Sequence, residues 1–378
     1  MNWFRIALAA ILCLFPIRAL ASPPALASEA AILIEAASGR VLYEKNADRL
    51  MYPASMTKIM TCLLALENAN LQDTITISPA AAGTEYAYLE AGQRLTMEEL
   101  LTEMMMESDN GASVAVAEHL APSVGAFAQR MTDRAASLGA GKTRFANPNG
   151  LPDAQHVSTA RDMMKISRFA WSLPAFRRIV GTSRHTVQFL GSSGKPWEAK
   201  NTNRLLDSYL GMVGIKTGWT DAAGGCLAGA AERNGITLIS IVMNAPDAQT
   251  RFADTAALMD YGFPMVRLVK GPVKEQLQRT VWVHDGTTFE VTAHPRADIR
   301  FTLFEGESER RCSYHFDMPR FIHAPVKQGD KLGDLVLTYD GREVGRIDMI
   351  ADTSLGKGFS PIALLLGFYD SILGPLLG

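Results

Sequence analysis

The length, composition and charge of the chain indicate a globular protein with room for two domains. It has 378 residues, of which 47% are hydrophobic and 20% charged, and its formal net charge is −2. This composition excludes an intrinsically disordered chain and a polytopic membrane protein. No dense run of lysine and arginine occurs, so nucleic acid is not expected as a partner.

The first 21 residues are predicted to form a secretory signal peptide. Arg5 precedes a nearly continuous apolar run at 6–15, and Ala-Leu-Ala at 19–21 is typical of a cleavage site. An uncleaved anchor is the alternative, but the run is shorter than the roughly 20 residues that span a bilayer. The sequence therefore predicts an exported protein.

Residues 22–263 are predicted to form an α/β domain with a helical subdomain. Segments 31–43 and 225–243 have the alternating pattern of strand pairs. Helical periodicity lies between them, at 55–67, 96–107, 112–120, 127–138 and 159–171. Two of these helices begin with a capping signature, at Thr96 and Thr159. Sheet-forming ends around a helical middle favour one antiparallel sheet with helices packed against it.

Three further features of the chain carry structural expectations. Cys62, Cys226 and Cys312 remain after signal removal, and such an odd, scattered set is expected as free thiols rather than disulfides. Three consecutive methionines at 104–106 are expected in a helix core. His156 lies in a polar stretch after residues 150–151 and is expected to be a solvated loop histidine, with a histidine that lines a cleft as the alternative.

Residues 264–352 are predicted to form a small all-β domain, and residues 353–378 a C-terminal tail. Short alternating runs with Asp-Gly turns at 285–286 and 340–341 are typical of hairpins. The tail holds ten large apolar side chains, whose burial would contribute on the order of 15 kcal/mol before ordering costs. It is predicted to be an amphipathic helix lying on a membrane surface. The alternative is a helix docked on the protein's own core.

Ser55 and Lys58 are the first candidate catalytic pair. A spacing of three at the start of a helix places the hydroxyl and the amine on one face. A serine needs a base, and a lysine acts as one only when it is neutral, so its pKa must fall to near 7 or 8 through burial and a nearby cation. The same Ser-x-x-Lys spacing recurs at 192–195 and 354–357, but in loop-like sequence.

Two short motifs further along the chain supply partners for this pair. Ser108-Asp109-Asn110 lies between two predicted helices, where it offers a hydroxyl and an amide, although helix capping alone would also explain it. Residues 216–218, Lys-Thr-Gly, precede a strand-like run and offer a cation, a hydroxyl and a close backbone approach. A simple turn is the alternative for this triplet.

The three motifs in this order resemble the serine D-alanyl-D-alanine carboxypeptidases, the low-molecular-mass penicillin-binding proteins. Segments 52–58, 147–151, 214–218 and 250–253 are also similar to segments of that family. The resemblance covers nearly the whole chain. It implies an α/β catalytic domain of the penicillin-binding and β-lactamase type, followed by the small β domain and the anchoring helix.

The resemblance also implies the catalytic roles. Ser55 would be the acylated nucleophile, Lys58 its base and Ser108 the proton relay to the leaving amine. Asn110 would orient the peptide, and Lys216 would hold the charge network. The implied reaction removes the terminal D-alanine from peptidoglycan pentapeptide through an acyl-enzyme, without a metal or another cofactor.

Further residues would bind the substrate. The resemblance implies that Thr217 and Arg251 bind the terminal carboxylate, beside Gly218. The backbone N–H groups of Ser55 and Trp219 would form the oxyanion hole. β-Lactams would be covalent inhibitors, and the enzyme would lie at the periplasmic face of the inner membrane.

The chain departs from the family's usual pattern at two places. Trp219 stands where many members have His, and residues 201–204 read Asn-Thr-Asn-Arg rather than Asn-Arg-Asn-Gly.

A class A β-lactamase is disfavoured because no glutamate occurs between Glu118 and Glu198. A D,D-endopeptidase would use the same residues, and an inactive envelope scaffold is disfavoured by the complete set of reactive side chains.

Overall fold

A computed structural model describes residues 22–358 of the chain. The predicted signal peptide and residues 359–378 of the predicted anchoring tail lie outside the described residues. The α-helices are α1 Lys58–Asn68, α2 Pro79–Ala82, α3 Met97–Glu107, α4 Asn110–Leu120, α5 Val124–Ser137, α6 Ala160–Trp171, α7 Pro174–Val180, α8 Leu205–Ser208 and α9 Thr250–Gly262.

The strands fall into a catalytic and a C-terminal set. The first set is β1 Ala30–Glu35, β2 Val41–Lys45, β3 Thr74–Thr76, β4 Arg94–Thr96, β5 Arg184–Val187, β6 Trp197–Lys200, β7 Met212–Thr220, β8 Gly224–Arg233 and β9 Ile236–Ala245. The second is β10 Val266–Lys270, β11 Arg279–Val283, β12 Glu290–Pro295, β13 Arg300–Phe304, β14 Cys312–Asp317, β15 Phe321–Ile322, β16 Lys331–Tyr339 and β17 Arg342–Ala351.

A five-stranded antiparallel sheet forms the centre of the first domain, in the order β2-β1-β9-β8-β7. The two predicted strand pairs are confirmed as β1–β2 and β8–β9. Side chains alternate between the faces of β1: Ala31 and Leu33 pack toward α9, whereas Ile32 and Ile34 pack into the larger core formed with α1 and α6. Helices therefore cover both faces of the sheet, as the predicted α/β domain requires.

The helical subdomain begins where the sequence predicts, apart from small shifts with clear causes. Thr96 Oγ1 accepts from the N–H of Glu99 and Thr159 Oγ1 from that of Asp162, at 3.2 and 3.0 Å, so both predicted caps are confirmed. Methionines 104–106 are fully buried, as expected. Helix α4 starts two residues before the predicted position because the Asp109 side chain caps it.

The predicted all-β domain is confirmed as a six-stranded sheet, in the order β14-β16-β17-β12-β11-β15, and the strand pair β10–β13. Both predicted Asp-Gly turns join antiparallel neighbours, β11 to β12 and β16 to β17. Val266 and Phe304 pack into the α9 core of the first domain. Leu355, which the sequence assigned to the tail, is buried in the β domain and pairs with Val326. Within residues 22–358, no helix is long and apolar enough to cross a bilayer.

Candidate active site

Ser55 lies in a short 3-10 turn, Ala54–Thr57, that leads into α1. The sequence predicted an α-helix from Ser55, but α1 begins only at Lys58, and Ala54, just before the serine, has a positive φ of 48°. Two glycines hold this turn. A Cβ at Gly150 would lie 2.0 Å from the Ala54 carbonyl oxygen, and one at Gly218 would lie 3.1 Å from the Ser55 nitrogen. Position 150 therefore requires glycine, and at position 218 glycine avoids a tight contact with the serine turn.

Lys58 is fully buried beside the serine. Its Nζ lies 3.0 Å from Ser55 Oγ, 2.7 Å from Asn110 Oδ1 and 2.9 Å from the Asn149 carbonyl oxygen. Burial lowers the pKa of Lys58 to about 7. A neutral amine has two N–H groups, which suffice for Asn110 and Asn149, so its lone pair is left to face the hydroxyl of Ser55. The sequence offered no signal for the Asn149 carbonyl.

The corner between α3 and α4 brings Ser108 to the pocket. Ser108 ends α3 in the left-handed region, with φ 71°, an uncommon conformation for a residue with a side chain. Asp109 then accepts hydrogen bonds from four backbone N–H groups at 2.6–3.1 Å, those of Tyr88, Leu89, Gly111 and Ala112. The carboxylate therefore fixes the corner rather than facing substrate.

Asn110 joins this corner to the catalytic pair. While Oδ1 accepts from Lys58, Nδ2 donates to the Glu85 carbonyl oxygen at 2.7 Å. The side chain thus ties α4, α1 and the loop before residue 86 together. The amide that the sequence assigned to substrate is, in this structure, hydrogen-bonded to protein at both ends.

Lys216, Thr217 and Gly218 lie on β7, the edge strand beside the nucleophile turn. Lys216 is 1% exposed, and its Nζ donates to the Thr217 carbonyl oxygen at 3.2 Å. Burial and then the charges of Lys58 and Arg251 hold the pKa of Lys216 well below its usual range. Thr217 Oγ1 lies 2.7 Å from Thr202 Oγ1, so the atypical 201–204 segment supports the Thr217 hydroxyl.

Arg251 reaches the same pocket from α9. Its Nη1 donates to the Gly218 carbonyl oxygen at 2.7 Å, and burial lowers its pKa. Within residues 22–358, no carboxylate pairs with this guanidinium. Trp219 stands at the rim with 45% of its surface exposed. A buried cation without a counter-ion therefore lies at one end of the pocket.

One cavity of about 480 Å³ unites these residues. Seven of the nine predicted site residues line it, namely Ser55, Ser108, Asn110, Thr217, Gly218, Trp219 and Arg251. Lys58 and Lys216 are buried behind it. Tyr86, Tyr88 and Glu107 also line the wall and were not singled out by the sequence, because nothing in their local pattern separates them from surface residues. A larger cavity, of about 840 Å³ between α6 and β13, contains none of the nine residues, so chemistry rather than size marks the candidate site.

The expectation for His156 is wrong. The ring is 2% exposed; its Nδ1 accepts from the Ala146 N–H at 3.1 Å, and its Nε2 lies 2.7 Å from Thr57 Oγ1. Nε2 therefore carries the proton and donates to Thr57, and burial lowers the pKa of His156 to about 4. The surrounding stretch is polar in sequence, and only its folding under the nucleophile turn buries the ring.

Residues 22–358 contain neither a candidate metal site nor a disulfide bond. No group of three or more His, Cys, Asp or Glu side chains there is arranged to hold a metal ion. The three cysteines of this part of the chain are free.

Comparison with known proteins identifies the family. The family model described as "D-alanyl-D-alanine carboxypeptidase" matches residues 18–247. The chain belongs to this family. A second model, "Penicillin-binding protein 5, C-terminal domain", matches residues 270–357. The two matches correspond to the α/β domain and the all-β domain, so the carboxypeptidase has the architecture that the sequence predicts up to residue 358.

Individual relatives extend the match over both domains. The chain is 32% identical over 337 residues to the D-alanyl-D-alanine carboxypeptidase DacF of Bacillus subtilis, covering 87% of this chain and 86% of that protein. It is 30% identical over 245 residues to the D-alanyl-D-alanine endopeptidase of Escherichia coli, covering 63% and 78%. A solved structure of penicillin binding protein 5 from Haemophilus influenzae aligns with a TM-score of 0.64 at 26% identity, covering 89% of this chain and all of that one.

Proposed function

We propose that this protein is a serine D-alanyl-D-alanine carboxypeptidase that removes the terminal D-alanine from peptidoglycan pentapeptides through an acyl-enzyme on Ser55. The observation that carries the proposal is the buried Lys58 amine, 3.0 Å from Ser55 Oγ, with a pKa of about 7. A lysine in this state accepts a proton near neutral pH. Membership of the carboxypeptidase family supports the same hydrolase activity.

Acylation begins when Lys58 takes the proton of the Ser55 hydroxyl. The oxygen attacks the carbonyl carbon of the penultimate D-alanine, and the carbonyl oxygen becomes negatively charged. The backbone N–H groups of Ser55 and Trp219 would hold this oxyanion, because Gly218 lets β7 lie against the nucleophile turn. Donors on two rigid elements need little rearrangement as the charge develops.

The leaving group departs with a proton. The C–N bond breaks, and the proton held by Lys58 passes through the Ser108 hydroxyl to the amine of the terminal D-alanine. The carboxylate of that D-alanine would bind Thr217 and Arg251, whose guanidinium lacks a carboxylate partner within residues 22–358. Water then attacks the ester of Ser55 and releases the shortened peptide.

The family acts on peptidoglycan peptides and binds β-lactams. A β-lactam would acylate Ser55 and remain there, because no leaving group departs from the pocket and the class A glutamate is missing. We also propose that the chain is exported, that its catalytic domain spans residues 22–263 and its β domain 264–352, and that the tail holds it on the outer face of the cytoplasmic membrane. The apolar composition of residues 359–377 supports this placement.

Two substitutions test the nucleophile. Ser55→Ala is expected to abolish both D-alanine release from a pentapeptide and labelling by a fluorescent penicillin. Ser192→Ala is the matched control, since Ser192 also precedes a lysine by three residues but lies away from the pocket, and it should retain both activities. A label retained by Ser55→Ala would overturn the assignment.

Cross-linked muropeptides separate the carboxypeptidase from an endopeptidase, a reaction named for one relative. We expect faster release of D-alanine from the monomeric pentapeptide than cleavage of the cross-linked dimer. The reverse order of kcat/KM would favour the endopeptidase. Rapid steady-state hydrolysis of nitrocefin would instead indicate a β-lactamase.

A further inference from the structure

A second cavity lies beside the catalytic one, and no step of the proposed mechanism uses it. It has a volume of about 460 Å³ and is lined by Tyr88, Glu107, Trp197, Lys200 and Thr202. Three of these residues, Tyr88, Glu107 and Thr202, also line the catalytic cavity. The two cavities therefore share a wall, and the space around the nucleophile continues past it.

The shared wall lies where the leaving residue of the substrate would sit. Thr202 Oγ1 is 2.7 Å from the Oγ1 of Thr217, one of the two groups proposed to bind the terminal carboxylate. Glu107 directly precedes Ser108, the proposed proton relay to the leaving amine. Each of these two contacts of the leaving residue thus adjoins a residue that lines both cavities. The second cavity is therefore the space open to a leaving residue whose side chain is longer than the methyl group of D-alanine.

A small residue stands between the two cavities. Thr202 belongs to the Asn-Thr-Asn-Arg segment and occupies the position where the family's usual pattern has arginine. Its backbone N–H donates to the Met106 carbonyl oxygen at 3.0 Å, so position 202 is fixed against the end of α3. An arginine side chain at this position would extend into the space that threonine leaves open. The departure from the family pattern is thus what keeps the passage between the cavities free.

Glu107 places a carboxylate in the shared wall. Its Oε2 accepts from Trp197 Nε1 at 3.0 Å, and its Oε1 accepts from the Lys200 backbone N–H at 3.4 Å. Within residues 22–358, no lysine, arginine or histidine side chain forms an ion pair with it. Each carboxylate oxygen can accept a second hydrogen bond. Glu107 is also the last residue of α3, where the helix carbonyl groups favour a cation.

The other walls of the second cavity suit an aliphatic chain that ends in a positive charge. The Trp197 ring packs against Phe189, with ring centroids 5.5 Å apart, and Tyr88 is 55% exposed. Aromatic faces pack against methylene groups and attract cations. Lys200 is exposed, so solvent screens its charge, whereas Glu107 is half-buried and faces both cavities. A cationic side chain is therefore favoured over an anionic one.

We propose that the second cavity is a subsite for the side chain of the leaving residue, where Glu107 selects D-amino acids with a long cationic side chain. This inference rests on the proposed acyl-enzyme of Ser55. The bond that breaks joins the penultimate D-alanine to such a residue, whose α-carboxylate binds Thr217 and Arg251. Its α-amine leaves with the proton passed on by Ser108, and water then hydrolyses the ester. The resulting activity is release of a terminal residue that resembles D-lysine.

Three pentapeptides that differ only in the last residue test the subsite. They end in D-alanine, D-norleucine or D-lysine, and D-norleucine provides the aliphatic stem of D-lysine without its ammonium group. We expect the wild type to release D-lysine with a kcat/KM about tenfold above that for D-norleucine, because only the ammonium pairs with Glu107. Glu107→Gln should lower this ratio of kcat/KM values about tenfold. A ratio that Glu107→Gln leaves unchanged would overturn the proposal.

Two other glutamates provide matched controls. Glu198→Gln removes a carboxylate of β6 that pairs with Arg184 at the surface, and it should keep the wild-type ratio. Glu85→Gln removes a carboxylate that lines the catalytic cavity but not the second one, and it should keep the ratio as well. A loss of the D-lysine preference in either control that equals the loss in Glu107→Gln would contradict the role of Glu107.

A substitution at position 202 tests the passage without changing Glu107. Thr202→Arg should lower kcat/KM for both D-norleucine and D-lysine about tenfold relative to D-alanine, because the longer side chain fills the passage. Thr202→Val has a side chain of the same shape as threonine and should keep the wild-type ratios. Long residues that Thr202→Arg releases as well as the wild type does would overturn the proposal. This variant also provides a test if Glu107→Gln does not fold.

The same peptides distinguish failure of this inference from failure of the proposed function. A wild type that releases D-alanine but does not prefer D-lysine over D-norleucine contradicts only the subsite. A wild type that releases D-lysine but no D-alanine contradicts the reaction on ordinary pentapeptides and supports the subsite. Release of none of the three residues contradicts both.

Discussion

In the catalytic domain two lysines and a carboxyl group are buried beside Ser55, whereas the described β domain buries no charged side chain. Its charges instead form surface pairs, such as those of Arg346 with Asp317 and Glu343. Burying ionisable groups costs free energy and shifts their pKa values. Both fully buried lysines of the described chain lie beside Ser55, where the proposed reaction needs altered proton affinities.

The largest effect should come from removing the buried base. Lys58→Met is expected to lower the rate of acylation by about 10³- to 10⁴-fold, because Ser55 loses its proton acceptor. Stopped-flow or gel-based labelling with a fluorescent penicillin measures this rate. Lys331→Met, in a surface pair of the β domain, is the control and should acylate at the wild-type rate.

The same base sets the pH dependence of the wild type. Because burial lowers the pKa of Lys58 to about 7, the amine is protonated and inactive below that pH and neutral above it. The acylation rate should therefore rise about tenfold per pH unit below 7 and level off above it. A rise that begins only near pH 10 would contradict the assignment of Lys58 as the base.

A pair of glycines tests whether backbone contact or backbone conformation matters more. Gly150 and Gly329 have similar positive φ angles, 90° and 87°, but a Cβ at Gly150 would lie 2.0 Å from the Ala54 carbonyl oxygen, whereas one at Gly329 meets nothing within 4 Å. Gly329→Ala should cost about 1 kcal/mol of unfolding free energy from conformation alone. Gly150→Ala should cost about 3 kcal/mol and reduce acylation roughly 100-fold, because the nucleophile turn must move.

Urea unfolding and penicillin labelling of the two variants give these numbers. Equal losses of stability, with acylation intact in both, would show that the nucleophile turn tolerates displacement. An added Cβ at the tightly packed Gly150 of the catalytic domain would then be tolerated as well as one at the open Gly329 of the β domain.

The buried histidine should give a smaller, pH-dependent effect. The pKa of His156 is about 4 in the folded protein and near 6.5 when unfolded, so only the unfolded chain gains a proton between these values. Stability therefore falls as pH drops from 6.5 to 4, by about 2–3 kcal/mol from this group. His156→Gln should remove that part of the decline, as measured by urea unfolding at pH 8 and pH 4.5. An identical decline in both proteins would contradict the burial of a neutral ring.

The smallest effect is expected at the surface of the β domain. Arg346→Gln breaks pairs with Asp317 and Glu343 that are open to solvent, and such pairs contribute little. The thermal midpoint and the acylation rate should both stay at wild-type values within error. A clear loss of acylation would mean that the β domain influences the active site.

The local sequence was sufficient for much of the fold and for the names of the reactive groups. Capping signatures located Thr96 and Thr159, turn residues located the hairpins, and three motifs identified the hydroxyls and amines of one pocket. Arg251 and Trp219 came from the family resemblance rather than from spacing. These features depend on a few neighbouring residues, so a linear pattern contains them.

The tertiary structure alone decided how those groups behave. Segments more than 90 residues apart place the Asn149 carbonyl against Lys58 and His156 beneath Thr57. Glu103 has an ordinary helical position in the sequence, and its burial without a hydrogen-bond partner appears only when α1 and α4 pack against α3. Burial and the pKa of a buried group depend on every atom packed nearby, and that packing is a property of the folded chain rather than of any segment.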